Sequence, residues 1–119
     1  MVELDAAHHE MLRLSRLIDR GVEALTDQGR EYADAENDYR GALARAWLEA
    51  PEGTVPEREA WVNGQCAIQR RRRDLADHMR QAALEALRSR RAQLSAWQSL
   101  LSAHREEAAF ARTGPEVAA

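Results

Sequence analysis

One break interrupts an otherwise helix-forming chain, and it reads Glu49-Ala50-Pro51-Glu52-Gly53-Thr54-Val55-Pro56-Glu57. Pro51 ends a preceding helix, because the residue before a proline disfavours the helical conformation, and Gly53 permits a left-handed turn. Thr54 has the signature of an N-cap, with Pro56 in the first helical turn and Glu57 three residues after the cap. The stretch therefore predicts a tight turn over 51–54 between two helices.

The segment before the break contains no proline and carries a sustained heptad pattern. Apolar or small residues recur in alternating steps of three and four, a spacing that places them along one seam of a helix. The seam consists of Leu4, Ala7, Met11, Leu14, Ile18, Gly21, Leu25, Gln28, Tyr32, Ala35, Tyr39, Ala42 and Ala46. Because the seam keeps its phase across Gly29, we predict one long helix over about 3–50.

The segment after the break shows a second seam. It consists of Trp61, Gln65, Ile68, Arg72, Leu75, Met79, Ala83, Leu87, Arg90, Leu94, Trp97, Leu101, His104 and Ala108. Steps of four repeat near Met79–Leu87, which indicates a stutter that locally unwinds a supercoil. Thr113-Gly114-Pro115 predicts the helix end, so the second helix covers about 55–112 and a short tail covers 113–119.

These elements predict an all-α fold, a long antiparallel helical hairpin of coiled-coil type that forms a single domain over 1–112. Opposed residues should have numbers that add up to 104 or 105. This register predicts leucine-rich packing far from the turn, with Leu101 opposite Leu4, Leu94 opposite Met11 and Leu87 opposite Ile18.

Further apolar residues lie beside the seam and widen the apolar face. They are Leu12, Leu17, Val22, Leu84, Ala86 and Leu100. A second copy would cover them, so we predict a homodimer in the form of a four-helix bundle. The alternative is a monomer with scattered exposed leucines, which are ordinary on protein surfaces.

Composition excludes several classes of protein. The 119 residues carry 17 basic side chains, all of them arginine, and the net charge is -3. The single cysteine excludes an internal disulfide framework and a cysteine-based zinc site. The absence of a long apolar run argues against a membrane-spanning helix, and the acidic N-terminal stretch does not resemble a signal peptide. We therefore expect a cytoplasmic protein.

The sequence offers no convincing metal site and indicates no cofactor. His8 and His9 are adjacent, so their side chains point in different directions on a helix. The pairs Asp5–His8 and Asp74–His78 have helical ligand spacing, but the predicted register keeps them far apart.

The sequence also indicates no enzyme. It has no phosphate-binding loop and no nucleophile motif, so we expect no catalytic residue and no small-molecule substrate. Cys66 has no histidine nearby, and although neighbouring arginines could lower the pKa of its thiol, we interpret it as a half-buried small residue.

An arginine cluster is the most unusual feature of the chain. The candidate patch for nucleic acid or a protein partner comprises Arg70, Arg71, Arg72, Arg73, Arg80, Arg88, Arg90 and Arg91. Arginine suits phosphate through its fork geometry. The alternative is internal pairing, because the register places the tetrad 70–73 near acids of the first helix: Glu31, Asp34, Glu36 and Asp38.

Three tryptophans complete the candidate residues. Trp47 and Trp61 flank the turn, where they either hold the two helices together or serve as anchors for a partner. Trp97 falls in the seam opposite Ala7, which predicts a core position.

Three stretches carry a resemblance to known proteins, and they read Tyr32-Ala33-Asp34-Ala35-Glu36-Asn37-Asp38-Tyr39-Arg40, Glu52-Gly53-Thr54-Val55-Pro56-Glu57-Arg58-Glu59-Ala60 and Leu94-Ser95-Ala96-Trp97-Gln98-Ser99-Leu100. Over about 30–107 the chain resembles small helical proteins of unassigned function from bacteriophages of high-GC bacteria, often encoded near recombination and replication genes. The resemblance implies a non-enzymatic accessory or adaptor protein with a protein partner. The alternatives are a nucleic-acid-binding protein and an inhibitor of a host protein.

Overall fold

The computed structural model describes residues 4–118, and it describes side chains through residue 113. Over this range the chain forms three helices, α1 (Leu4–Glu49), α2 (Val55–Gln65) and α3 (Ala67–Ala118), and no strand. The two long helices α1 and α3 pack together, which confirms the all-α class. The predicted first helical residue, Glu3, and the last residue of the predicted tail, Ala119, lie outside the described residues.

The turn between α1 and α2 follows the sequence prediction closely. Thr54 has extended backbone angles, and its side-chain oxygen accepts a hydrogen bond from the Glu57 amide at 3.3 Å. The left-handed turn expected at Gly53 was wrong, because no glycine in the described range has a positive φ. Gly53 instead leaves room for a neighbour, since a Cβ there would lie 2.6 Å from Glu57 Oε2.

The predicted single helix over 55–112 was also wrong, because Cys66 separates α2 from α3. Cys66 has φ -105° and ψ 10°. Its amide still donates to the Val62 carbonyl at 3.1 Å, and its carbonyl accepts from the Arg70 amide at 3.0 Å. Gly64 lies two residues earlier and weakens the helix there by about 1 kcal/mol relative to alanine. The break is therefore a local distortion that keeps the backbone hydrogen bonds on both sides.

The end of α3 lies further along the chain than predicted. The helix continues to Ala118, past the Thr113-Gly114-Pro115 stretch at which we expected it to stop. A proline in a helix lacks the backbone donor for the carbonyl four residues earlier, so Pro115 leaves the carbonyl of residue 111 without that helical hydrogen bond. Thr113 adds a side-chain hydrogen bond to the Ala109 carbonyl at 3.0 Å.

The chain packs as two compact units. We call Met1–Val22 with Ala86–Ala119 the terminal unit, and Glu23–Glu85 the turn unit. Within each unit the α1 segment runs antiparallel to its partner segment. Two contacts in each unit show this direction, because a higher residue number on α1 goes with a lower one on the partner helix. They are Gly21 with Leu87 and Leu17 with Arg90 in the terminal unit, and Trp47 with Arg58 and Tyr32 with Arg80 in the turn unit.

The terminal unit has a leucine core. Leu14 is 1% exposed and Leu87 is 2% exposed. The other large seam residues of this unit are half-buried, namely Met11, Ile18, Leu94, Trp97, Leu101 and His104. Leu87 lies against Gly21, where an added Cβ would be 3.2 Å from Leu87 Cδ1. The predicted pairing of Leu87 with Ile18 was therefore wrong by about one helical turn.

The turn unit confirms the predicted α1 seam. Ala35, Ala42 and Ala46 are buried, and the other seam positions there are half-buried: Leu25, Gln28, Tyr32 and Tyr39. Around Ala42 and Ala46, a small core cluster also includes Val62 and Cys66, with Trp61 packed against it.

The predicted seam over 61–79 was wrong by one position. The buried and half-buried residues there that keep a heptad spacing are Val62, Cys66, Gln69, Arg73, Ala76 and Arg80. They continue in alternating steps of four and three to Ala83 and Leu87, so the predicted stutter is absent. Three large apolar residues of the predicted seam are exposed instead, with Ile68 at 81%, Leu75 at 62% and Met79 at 49%, whereas Trp61 is half-buried.

Aromatic rings explain why arginines occupy seam positions. The Arg73 guanidinium lies 4.5 Å from the centroid of the Tyr39 ring, and the Arg80 guanidinium lies 4.9 Å from that of Tyr32. Arginine stems pack as apolar chains while their charged ends stack on aromatic faces. Tyr32 and Tyr39 are seven residues apart, and so are Arg73 and Arg80. The two stacks therefore lie one heptad apart on each helix.

Candidate protein-interaction surface

An exposed apolar row follows one side of α3 in the turn unit. We call Ile68, Leu75 and Met79 the outer stripe. Their spacing of seven and four residues places them on the same face of the helix. Single exposed apolar residues are common, whereas large apolar residues that share one helix face are a feature of interaction surfaces. Between Ile68 and Leu75 this face also carries Arg71 and Arg72.

An acidic row runs along α1 on the same side of the turn unit. It consists of Asp27, Glu31, Asp34 and Asp38, all exposed and spaced by four, three and four residues. Arg72 connects this row with α3, because its Nη1 lies 3.0 Å from Asp38 Oδ2 and its Nη2 lies 3.5 Å from Glu31 Oε1. Asp27 and Asp34 form no ion pair with any residue of the described chain.

A groove of about 450 Å³ lies between Ile68 of the outer stripe and residues 37–45 of α1. Its walls include Asp38, Gly41, Arg45, Ile68, Gln69 and Arg72. Gly41 has no side chain to fill the groove, and a Cβ there would meet only the Arg45 guanidinium, at 3.4 Å for the nearest atom. The groove is therefore open above Gly41, with an apolar wall at Ile68 and a charged rim.

The arginine tetrad divides into paired and unpaired members. Arg72 bonds the acidic row, and Arg73 Nη1 lies 3.6 Å from Glu36 Oε2. Arg73 also bonds Asp74 at 2.9 Å, and this hydrogen bond raises the pKa of Arg73 above its ordinary value. Arg70 is half-buried and Arg71 is exposed, and neither forms an ion pair within the described residues.

The other members of the predicted arginine patch are spread over both units. Arg80 bonds Asp77 at 2.6 Å in the turn unit. Arg90 is half-buried in the terminal unit and donates to the Leu17 carbonyl at 3.5 Å, while Arg88 and Arg91 are exposed there. Several arginines of the patch that was predicted to bind phosphate are therefore paired with acidic side chains of the same chain, namely Arg72, Arg73 and Arg80.

The two tryptophans at the turn differ in their surroundings. Trp61 is half-buried against the cluster that contains Val62 and Cys66. Trp47 is 39% exposed, and the Arg58 guanidinium lies 5.6 Å from its ring centroid. Trp61 therefore contributes to the core, whereas Trp47 keeps an accessible face.

The remaining candidates from the sequence are Cys66 and the histidine–carboxylate pairs. Cys66 is a free thiol that is 1% exposed. Within the described part of the chain, no three side chains of histidine, cysteine, aspartate or glutamate come together in a way that could hold a metal ion. None of the described helices combines the length and the apolar character needed to cross a membrane. A pocket of about 240 Å³ in the terminal unit is lined mainly by Leu4, Ala7, Trp97, Leu101 and His104.

Sequence reasoning missed the outer stripe as a surface because it assigned those residues to the core. A signal was present in the chain: Tyr32 and Tyr39 have the same seven-residue spacing as Arg73 and Arg80. Stacks between these pairs rotate α3 so that Ile68 and Leu75 face outward.

Comparisons with known proteins add no further identification. No family model matches the chain, and neither a curated protein nor a solved structure is significantly similar to it.

Proposed function

We propose that this protein is a non-enzymatic accessory or adaptor protein of a bacteriophage that acts by binding a protein partner through its helix faces. The observation that carries the proposal is the outer stripe, because its three large apolar side chains lie exposed while Gln69, Arg73 and Arg80 hold neighbouring seam positions. An exposed apolar row raises the free energy of the isolated protein and is compensated when a partner covers it.

Affinity capture from the native host tests this proposal. The bait is the native protein or the variant Ile68→Gln/Leu75→Gln, and Phe110→Gln, at a position 76% exposed in the terminal unit, is the matched control. We expect a specific protein to be recovered with the native bait and the control but not with the stripe variant. Equal recovery with all three baits would contradict the proposal.

Homodimerisation is a second part of the proposal. In the terminal unit Leu12, Val22 and Leu100 are 55%, 44% and 56% exposed, which supports a second copy covering them. Light scattering at micromolar concentration should then give about twice the chain mass of 13.4 kDa. A mass of one chain, together with a cooperative melt, would contradict the four-helix bundle.

The nucleic-acid alternative receives less support, since Arg72, Arg73 and Arg80 have acidic partners. We expect little binding to DNA at about 150 mM salt, where charges beyond about 8 Å are screened. The measurement is a salt titration of DNA binding for the native protein and for Arg70→Gln/Arg71→Gln/Arg73→Gln. Submicromolar affinity that is lost in the variant together with its salt dependence would favour the nucleic-acid function instead.

A further inference from the structure

We infer that the pocket of the terminal unit binds a small organic cation with an apolar body, of the arylalkylammonium class, as a ligand and not as a substrate. The pocket has a volume of about 240 Å³ and lies between residues 4–7 of α1 and residues 97–107 of α3. Its walls belong to the terminal unit, whereas the outer stripe belongs to the turn unit. This binding site therefore goes beyond the proposed adaptor function and does not depend on it.

The apolar walls of the pocket favour a ligand with an apolar body. Leu4 and Ala7 of α1 and Trp97, Leu100 and Leu101 of α3 contribute to these walls. A cavity of about 150 Å³ with apolar walls is large enough to hold benzene. The pocket therefore has room for one aromatic ring and about 90 Å³ more for a short arm.

The charge in the walls favours a cation. Glu107 is the charged side chain among the residues that line the pocket, and no arginine of the described chain lines it. Glu107 also forms no ion pair with any residue of the described chain. Its carboxylate is therefore available to accept a charge-assisted hydrogen bond from an ammonium group. His104 lines the same pocket, and a neutral imidazole offers one further acceptor nitrogen.

The order of these residues along α3 favours a ligand with its ring at one end and its charge at the other. Leu101 and Glu107 are six residues apart, which is about 9 Å along the helix at 1.5 Å per residue. Side chains on a helix tilt toward its N-terminus, so Glu107 reaches back toward the apolar walls. A ring beside Trp97 and Leu101 can therefore place an ammonium group on a two-carbon arm near His104 and Glu107.

Three probes of similar shape test the preference for a cation. They are 2-phenylethylammonium, the neutral 2-phenylethanol and the anionic 3-phenylpropanoate. An exposed ion pair contributes a factor of up to about five in affinity. We therefore expect the ammonium probe to bind about two- to fivefold more tightly than the alcohol, and the carboxylate to bind most weakly. Equal affinities for the ammonium probe and the alcohol, or a preference for the carboxylate, would overturn the proposal.

The tryptophans locate the binding within each titration. Trp97 lines the pocket, whereas Trp47 and Trp61 lie in the turn unit. In NMR spectra of isotope-labelled protein, we expect the ammonium probe to shift the indole N–H signal of Trp97 and to leave the other two signals in place. No shift of the Trp97 signal, or equal shifts of all three signals, would refute the site.

Matched variants separate the effect of charge from the effect of space. Glu107→Gln should remove the preference for the ammonium probe and leave the affinity for the alcohol unchanged, whereas Glu106→Gln, at an exposed position outside the walls, should keep the preference. Ala103→Leu enlarges a side chain of the wall and should abolish binding of both probes, whereas Ala109→Leu, exposed and outside the walls, should not. Equal losses in test and control variants would contradict the site. Circular dichroism of each variant checks that its helix content is unchanged.

A second copy of the chain is the rival occupant, because Leu100 lines the pocket and is 56% exposed. If side chains of a second copy filled the pocket, the affinity for the ammonium probe would fall as the protein concentration rises, and Ala103→Leu would lower the mass measured by sedimentation. We expect neither effect. Either one would show that the pocket is part of an interface between copies, and the ligand site would then be wrong.

Discussion

The terminal unit and the turn unit use the same heptad spacing but fill it with different side chains. The terminal unit buries Leu14 and Leu87, whereas the turn unit buries Ala35, Ala42 and Ala76 and places arginine stems beside tyrosine rings. Buried leucines stabilise mainly by removing apolar area from water. Small residues remove less apolar area from water, so the turn unit depends more on directional contacts such as its arginine–tyrosine stacks. The comparison teaches that a heptad specifies where side chains meet but not what holds them together.

Truncating a buried leucine should have the largest effect, because Leu14 and Leu87 of the terminal unit are the buried leucines among the described residues. Leu14→Ala should lower the free energy of unfolding by about 2–5 kcal/mol through lost burial and the cavity left behind. The control, Leu12→Ala, removes the same atoms from a position that is 55% exposed and should change stability by less than about 1 kcal/mol. Urea denaturation measures both, and similar values for the two would contradict the leucine core.

The arginine–tyrosine stacks of the turn unit should show a smaller, pairwise effect. In a double-mutant cycle, Arg73→Met and Tyr39→Leu should have a coupling energy of about 0.5–1 kcal/mol, as expected for a partly exposed cation–π contact. Arg71→Met with Tyr39→Leu is the control cycle, because Arg71 is exposed and has no recorded contact with that ring. A coupling near zero in the first cycle would mean that only the arginine stem matters.

The same glycine substitution should have opposite signs in the two units. A Cβ on Gly29, in the turn unit, would meet nothing within 4 Å, so Gly29→Ala should stabilise the helix by about 0.4–1 kcal/mol. In the terminal unit, a Cβ on Gly21 would lie 3.2 Å from buried Leu87, so Gly21→Ala should give no gain or a loss. Thermal melts of the two variants separate these outcomes, and equal stabilisation would show that the Leu87 contact is loose.

Removing a surface ion pair of the terminal unit should have the smallest effect on stability. This effect should be visible only in how stability depends on pH. The hydrogen bond from Arg13 lowers the pKa of Glu10 below its ordinary value of 4.5. A lowered pKa stabilises the folded state above the ordinary pKa, and this contribution disappears as the pH falls through the lowered value. Glu10→Gln should therefore be slightly less stable than the native protein near neutral pH and equal to it at about pH 2. A difference that persists in acid would show that Glu10 acts by packing.

The positions of the turn ends could be predicted from local chemistry, although the backbone conformation of Gly53 and the helix stop at 113–115 were predicted wrongly. Pro51 and the capping residue Thr54 act within a few residues of themselves, so the end of α1 and the start of α2 were found correctly. The α1 seam was also found, because its apolar and small residues repeat without a competing row. Nothing in this pattern required knowledge of the partner segment.

The α3 seam of the turn unit could not be predicted by the same reasoning, because two rows of residues competed. Ile68, Leu75 and Met79 form the more apolar row, and a pattern based on hydropathy selects it. The observed row contains Arg73 and Arg80, whose burial depends on tyrosines more than thirty residues away. Long-range stacking therefore decided a rotation of about 100°, and this rotation also exposed the candidate surface.

The buried thiol of Cys66 can serve as a probe of local unfolding in the turn unit. Because this side chain is 1% exposed at the junction of α2 and α3, a thiol reagent can reach it only after the surrounding cluster has separated. When opening and closing are faster than the chemical step, the rate of labelling reflects the equilibrium population of the open form. The chain thus has a single natural probe of local unfolding, placed in the unit whose buried residues include no leucine, and its modification rate follows the fluctuations of that unit.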